Sequence, residues 1–331
     1  MGHRSSVLFA AGYMLMAGTR SLWQLMLSYG VLAGVGFGAT TPPMFGAIIC
    51  RWFERRRGMA VSLAMAGSCL GQFVLIPPFT GMSIALGWRA TSFWLGAAGF
   101  VLNVLLAVIV IRDDPVPMGI APYGHVSSPA SGAAVHASHS HGAADLSLRQ
   151  AIRTRPLWLF AVSMFVCGGA DFLVSPHLVP MVTDQGISTT TAANMLAWFG
   201  LLSLAGILLA GPASDAIGDR VPIAITFALR IALFLMIPLV QTEATFWIFS
   251  LGFGLTFLVT APLTPTLSGR LFGFANIGLI AGFVTTIHQL GGGLWAYLGG
   301  AIYDATGSYA LAFAITMGLT AVVLVCMLML K

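Results

Sequence analysis

The sequence predicts an all-α fold, a polytopic membrane bundle of about ten transmembrane helices. Three observations carry that expectation. Of 331 residues, 58% are hydrophobic and 8% are charged, against roughly 25% charged in an ordinary soluble domain. Apolar segments near the ~20 residues that cross a bilayer recur along the whole chain with short polar breaks. Glycine, at 39 residues, is enriched as in closely packed membrane helices. A soluble enzyme, a nucleic-acid-binding domain and a secreted disulfide scaffold are all disfavoured by this composition.

Ten apolar segments can be drawn, at 5–18, 22–49, 58–86, 90–111, 157–182, 189–210, 221–240, 246–267, 274–302 and 308–330. The first is also compatible with a secretory signal peptide, because Met1-Gly2-His3-Arg4 precedes a short apolar run and small residues. Against that, Leu22 opens the next segment directly after Thr19-Arg20, the pattern of a helical hairpin. The four cysteines, Cys50, Cys69, Cys167 and Cys326, are far apart and lack CxxC spacing, so they read as small buried hydrophobes, with no metal site and no disulfide framework.

Orientation follows from the basic residues, which concentrate in short cytoplasmic loops. With the N-terminus inside, twelve of the fifteen Lys and Arg residues fall on the inner face, including Arg51, Arg55, Arg56, Arg57, Arg112, Arg220 and Arg270. Arg20 and Arg89 fall outside, and Arg230 lies within a span. Both termini are then expected in the cytoplasm and the chain in the inner cell membrane.

A polar stretch at 112–155 separates an N-terminal unit, 1–111, from a C-terminal unit, 156–331. Its core from His125 to Gly142 is rich in Ser, Ala, Gly and His and has no apolar periodicity, which reads as a flexible cytoplasmic linker. His125, His136, His139 and His141 have no cysteine or carboxylate cluster beside them to fix a metal geometry. Helical character returns at 146–155, and this piece can lie along the inner membrane surface.

The two units resemble each other. Gly218-Asp219-Arg220 precedes the seventh segment as Gly2-His3-Arg4 precedes the first, at an offset of 216 residues, and the same offset brings the Arg51–Arg57 loop close to Arg270. In the second unit two spans precede this loop and in the first unit none does. A symmetric six-plus-six design would therefore have two further N-terminal helices, leaving four plus six here.

The stretch Gly211-Pro212-Ala213-Ser214-Asp215-Ala216-Ile217-Gly218-Asp219-Arg220 resembles the inner-loop signature of the major facilitator superfamily, GxxxD(R/K)xGR(R/K). It keeps both glycines, the aspartate and the final arginine, with Ala216 and Asp219 where basic residues are usual. The run from Trp52 through Glu54, Arg55, Arg56, Arg57 and Gly58 to Ala66-Gly67 resembles a signature of monocarboxylate porters. His177-Leu178-Val179-Pro180 with Asp184-Gln185-Gly186, and the stretch from Gly300 to Tyr309, are similar to bacterial members of that group and to oxalate/formate antiporters. The resemblance implies a major facilitator fold of two pseudo-repeat bundles. It also implies a secondary transporter of a small organic anion, a monocarboxylate, working by alternating access with protons as a candidate coupling ion. It implies an arginine in the 189–210 segment for the substrate; that segment carries no charge here.

Candidate site residues fall into three groups. Gly211, Asp215, Gly218 and Arg220 form a candidate inner gate, since a loop aspartate can pair with an arginine or a helix N-terminus across the bundle interface; a solvated charge that only sets topology is the plainer alternative. Arg55, Arg56 and Arg57 are a basic cluster read as gate, topology signal or lipid contact. Inside the membrane, where ionisable groups are costly, Asp171, His177, Arg230, His288 and Gln289 are candidates for the substrate or proton pathway. Asp171 and His177 are flanked by Gly168-Gly169, Pro176 and Pro180, residues that can interrupt a helix and free backbone groups to line a cavity. Two readings stay open for Arg230: a contact to a substrate carboxylate or a structural ion pair, with Asp171 as its partner. His288-Gln289 precede three glycines, Gly291 to Gly293, that permit close helix approach. Tyr29, Thr40, Thr41 and Gln72 are polar groups that can face a cavity or bond between helices.

An intramembrane enzyme lacks support, with no HExxH, GxSxG or paired carboxylates, and no nucleotide-binding loop points to an ATP-driven pump. The expected partners are a small organic anion, protons and the lipid bilayer, with no cofactor and no nucleic acid. The alternatives are an exporter of another small solute and a truncated, non-transporting membrane protein.

Overall fold

The computed structural model describes residues 2–38, 41–109, 112, 115–124, 145–239 and 242–330. Apart from one isolated parallel bridge between Phe53 and Tyr123, the described regular structure is helical. Thr40, Lys331 and the linker core with His125, His136, His139 and His141 lie outside the described residues.

Helix α1, Gly2–Met16, packs against the second span through Gly12 and Gly36, where an added Cβ would strike backbone of the facing segment. That second span is not one regular helix. A capping box between Ser21 and Gln24 starts α2, Leu22–Leu25, which runs into a π-helical stretch, Met26–Ala33, then α3, Gly34–Gly38. Helix α4, Pro42–Trp52, opens on two prolines that need no N–H in a first turn.

Helix α5, Arg57–Ile109, contains two spans joined at Gly87, whose φ of 81° and ψ of 158° break the helix where only glycine fits without strain. The arms 57–86 and 88–109 are the third and fourth segments expected from sequence.

Past the short α6, Leu148–Ala151, come six segments: α7, Arg155–Thr183; α8, Thr189–Ile217; α9, Arg220–Leu239; α10, Glu243–Phe257, continued by α11, Thr260–Phe272; α12, Ile277–Thr306; and α13, Ala310–Met329. Ser188 and Thr242 cap α8 and α10, and Gly307 ends α12 in the left-handed conformation. Eight described helical stretches are long and apolar enough to cross a membrane, with a shorter apolar helix at Ser6–Met16.

Two sequence expectations change here. Pro176 and Pro180 do not interrupt α7, which is helical from Arg155 to Thr183. Packing on several sides tolerates the two missing N–H donors, since α7 is the most buried of the long helices and neighbours α12, α13, α8 and α10. The eighth segment breaks after Phe257, so that α10 ends inside the bundle.

The tightest seam lies between α7 and α12. A Cβ at Gly168 would strike the His288 carbonyl, and one at Gly291 the Phe165 carbonyl. The second half contains two apolar cores, one around Phe160, Leu263 and Val323 and one around Leu173, Phe249 and Phe313. The halves meet in a third, where Ala47, Cys50, Val61 and Met65 pack against Ile207 and Ile277.

Candidate functional site

Cys167 and Asp171 are four residues apart on α7 and so share one face. Arg230 of α9 points at them from a position with no solvent exposure. Its Nη2 lies 2.7 Å from Asp171 Oδ1. The same nitrogen donates to the Thr256 carbonyl at 3.0 Å and reaches the Phe257 carbonyl at 3.4 Å; Nε donates to Thr256 Oγ1 at 3.2 Å and Nη1 to Cys167 Sγ at 3.4 Å. The Phe253 ring lies 4.7 Å below the guanidinium carbon.

The break after Phe257 explains this arrangement: the last carbonyls of α10 have no helical partner, and Arg230 supplies both their donors and the favoured positive charge at a helix C-terminus. With every guanidinium nitrogen engaged by protein, the geometry of Arg230 is that of a structural ion pair with Asp171.

From the opposite side, His288 Nε2 of α12 lies 3.2 Å from Asp171 Oδ2, and its Nδ1 lies 3.3 Å from Gln289 Oε1. The His288 side chain is 19% exposed, against 0% for Arg230 and 5% for Asp171. Cys167 Sγ lies 3.8 Å from Asp171 Oδ2 and 3.6 Å from Thr260 Oγ1. Donor atoms of Cys167, Asp171 and His288 fall within 4.8 Å of one another, close enough for a metal ion. The guanidinium against both Asp171 and Cys167 opposes a further cation there.

His177 stands apart from this cluster. It lies six residues beyond Asp171, with Nε2 3.1 Å from the Ala296 carbonyl and Nδ1 3.4 Å from the Tyr309 hydroxyl.

A second polar site joins the halves at the arginine-rich end. Asp215, in the last turn of α8, accepts from the Gly58 and Met59 backbone N–H groups, each at 2.9 Å. These are free donors in the first turn of α5, where a carboxylate meets the positive end of the helix dipole. Gly58 and Gly211 make this approach possible, because a Cβ on Gly58 would sit 2.7 Å from the Gly211 carbonyl.

Arg220 does not pair with Asp215; its Nη1 bonds the Leu330 carbonyl. Arg57 donates from Nε to the Phe53 carbonyl at 2.7 Å and stacks its guanidinium 3.8 Å from the Phe274 ring centroid, across the interface. Arg56 holds a positive φ of 58°, tightening the turn into α5. Gly218 has a φ of 83°, which suits glycine where α8 turns into α9.

Sequence reasoning missed Asp219 and Arg270 as a pair. Asp219 is 2% exposed, bonded to the Ser214 hydroxyl and at 2.8 Å to the Thr266 hydroxyl, with Arg270 Nε 3.0 Å from Oδ2. Burial raises its carboxyl pKa, against the pull of Ser214, Arg270 and Thr266. The available signal was that Asp219 and Arg270 are opposite charges in two sequence-predicted loops of one unit. Cys167, read as a small hydrophobe, belongs to the Asp171 cluster; its place four residues before Asp171 on a helical segment was the available signal.

Comparison with known proteins places this architecture. The sequence profile of the Major Facilitator Superfamily matches residues 4–176 and, again, 160–331. The chain belongs to the major facilitator superfamily. It is 27% identical over 327 residues to an uncharacterized MFS-type transporter, YcxA, of Bacillus subtilis, covering 96% of this chain and 76% of that protein. It is 26% identical to bovine monocarboxylate transporter 13, covering 93% and 68%. Among solved structures, the E. coli fucose:proton symporter superimposes with a TM-score of 0.72 at 14% identity, covering 99% of this chain and 83% of that one. The human organic anion transporter MFSD10 gives 0.68 at 14%, covering 98% and 76%.

Proposed function

We propose that this chain is a secondary active transporter of a small organic anion, a monocarboxylate, coupled to protons. It works by alternating access between an N-terminal bundle, 1–111, and a C-terminal bundle, 156–331, in the inner cell membrane with both termini cytoplasmic. The observation that carries the reading is the contact of Asp215 with Gly58 and Met59. Two spans from different halves are held at one end by a polar contact that can break without unfolding either helix. The concentration of arginines at that end supports assigning it to the cytoplasm. The monocarboxylate transporters, at 26% identity over most of their length, support the substrate class. His288, the part-exposed member of the buried cluster, supports proton coupling because imidazole is the side chain that exchanges protons nearest neutral pH.

The test is uptake by proteoliposomes of labelled lactate, pyruvate, formate and oxalate, with fucose as a neutral control. Uptake of at least one monocarboxylate, raised by an inward proton gradient and collapsed by a protonophore, is expected. Transport of fucose with no acid moved would replace the reading with a neutral-solute transporter; transport of neither would remove it.

A further inference from the structure

Around Asp171 one anion meets two nitrogen groups, and these differ in kind. The guanidinium of Arg230 is fully enclosed and bonded to the C-terminal end of α10 inside the bundle. It keeps its charge at any accessible pH and has no path to solvent. The imidazole of His288 reaches Asp171 from the other side and keeps part of its surface open.

Its two ring nitrogens face two oxygens: Nε2 faces the Asp171 carboxylate at 3.2 Å and Nδ1 faces the Gln289 amide oxygen at 3.3 Å. A carboxylate and an amide oxygen only accept, and a neutral imidazole has a single N–H to give. The imidazolium satisfies both contacts as they stand, and a half-turn of the exposed Gln289 amide would offer its NH2 to an unprotonated Nδ1, so His288 has partners in either charge state.

Charge counting then gives the site its chemistry. Arg230 and Asp171 cancel, so a protonated His288 leaves one unbalanced positive charge inside the membrane, where isolated charge is costly. A monoanion removes that cost. Once His288 loses its proton, the cluster is neutral and has no further claim on the anion.

The groups facing His288 fit this chemistry. Asp171 and Cys167 approach it from α7, with Arg230 of α9 behind them. The ionisable groups on the other helices packed against α12, namely Cys50 and Arg51 of α4, Arg149 of α6, Arg270 of α11 and Cys326 of α13, belong to the arginine-rich end. His288 lies eleven residues into α12 from that end, about three turns.

Building on the reading as a proton-coupled anion transporter, we infer that His288 carries the transported proton and, while protonated, contacts the substrate anion. Asp171 is its ion-pair partner when no substrate is bound, and Arg230 is a positioning residue that does not touch substrate. One proton enters onto the imidazole and one monoanion joins it; both leave on the other face, with no covalent bond made or broken in the substrate.

The inference is tested in proteoliposomes with labelled lactate, comparing accumulation driven by a proton gradient with counterflow exchange at equal pH on both sides. In the wild type, the proton-linked enhancement is expected within the ~5–150-fold range of a coupling between two sites. His288→Lys, with a charge retained, should show counterflow at a reduced rate while the enhancement falls to about one. His288→Gln should lose both, and Arg230→Lys should keep the enhancement. A His288→Gln protein with wild-type accumulation overturns the assignment and leaves the transporter reading standing. A wild type that moves no carboxylate overturns both. Should the His288 variants fail to fold, ¹⁵N spectra of the histidine-labelled wild type at neutral pH decide: the imidazolium pattern at His288 supports the inference and a neutral tautomer overturns it.

Discussion

Asp215 caps a helix of the opposite half: its two oxygens each sit 2.9 Å from a backbone nitrogen, at Gly58 and Met59, some 157 residues away in sequence. The contact joins the end of α8 to the beginning of α5 and needs a neutral peptide dipole, not a basic side chain, on the other side. That is why the motif's aspartate retains a partner although Arg220 bonds elsewhere.

Removing this cap loosens the closed end. Loss of an N-terminal cap costs about 1 kcal/mol, a roughly fivefold change in population. Cys50, 2% exposed in the apolar seam between the halves, reports on it. In Asp215→Ala, alkylation of Cys50 by an impermeant maleimide, read by mass spectrometry, should speed up about fivefold. An unchanged rate would show that Asp215 does not hold this end.

Gly211→Ala acts on the same state by another route. Its Cβ would meet the Gly58 carbonyl and the Ser62 hydroxyl oxygen, an overpacking worth about 1–3 kcal/mol. Alanine favours helix over glycine, so the damage falls on the interface. Faster Cys50 labelling with little change in thermal stability is expected; a lower melting temperature with unchanged labelling would place the clash inside one half.

Stability in the C-terminal half depends on Arg230 and Asp171 together. Arg230→Ala removes the enclosed cation from buried Asp171 and leaves His288 as its remaining partner, a loss of about 3–5 kcal/mol, whereas replacing both Arg230 and Asp171 by apolar residues restores much of it. Thermal unfolding followed by fluorescence-detected gel filtration should rank wild type near Arg230→Met/Asp171→Leu and both well above Arg230→Ala. Equal midpoints for wild type and Arg230→Ala would refute the ion pair.

Asp219 predicts a pH effect with a definite sign. Its folded pKa is raised, chiefly by burial, so the folded protein holds this proton more tightly than the unfolded one. The stabilisation is present below the ordinary carboxylate range and is lost as pH rises through the raised value. Asp219→Asn, which cannot titrate, should flatten that part of the stability profile; an unaltered profile would contradict the assignment.

Much of the fold was legible because apolar runs of membrane length need no tertiary information. The order of the spans, the arginine asymmetry and the pairing of Asp171 with Arg230 as one of two options all derive from residue type and position, whereas some ends moved, α8 running to Ile217 past the expected 189–210. The contact of Asp215 with a helix start was anticipated as a class of interaction, but its partner was not named, since any free N-terminus would serve. Pro176 and Pro180 misled because proline marks a missing donor, while the packing that tolerates it is invisible in sequence. The fork of Arg230 onto Thr256 and Phe257 depends on a helix break inside an unbroken apolar run. His288 meets Asp171 across 117 residues, and no local spacing announces that.

The central claim, proton-coupled transport of a monocarboxylate, is tested most directly by counting both fluxes in the same vesicles, labelled lactate by filtration and internal acidification by a trapped pH dye. One proton should enter with each acid, and the two fluxes should rise and fall together as the proton gradient is varied. Lactate entry without matching acidification, or acidification that is the same with and without lactate, would contradict proton-coupled transport.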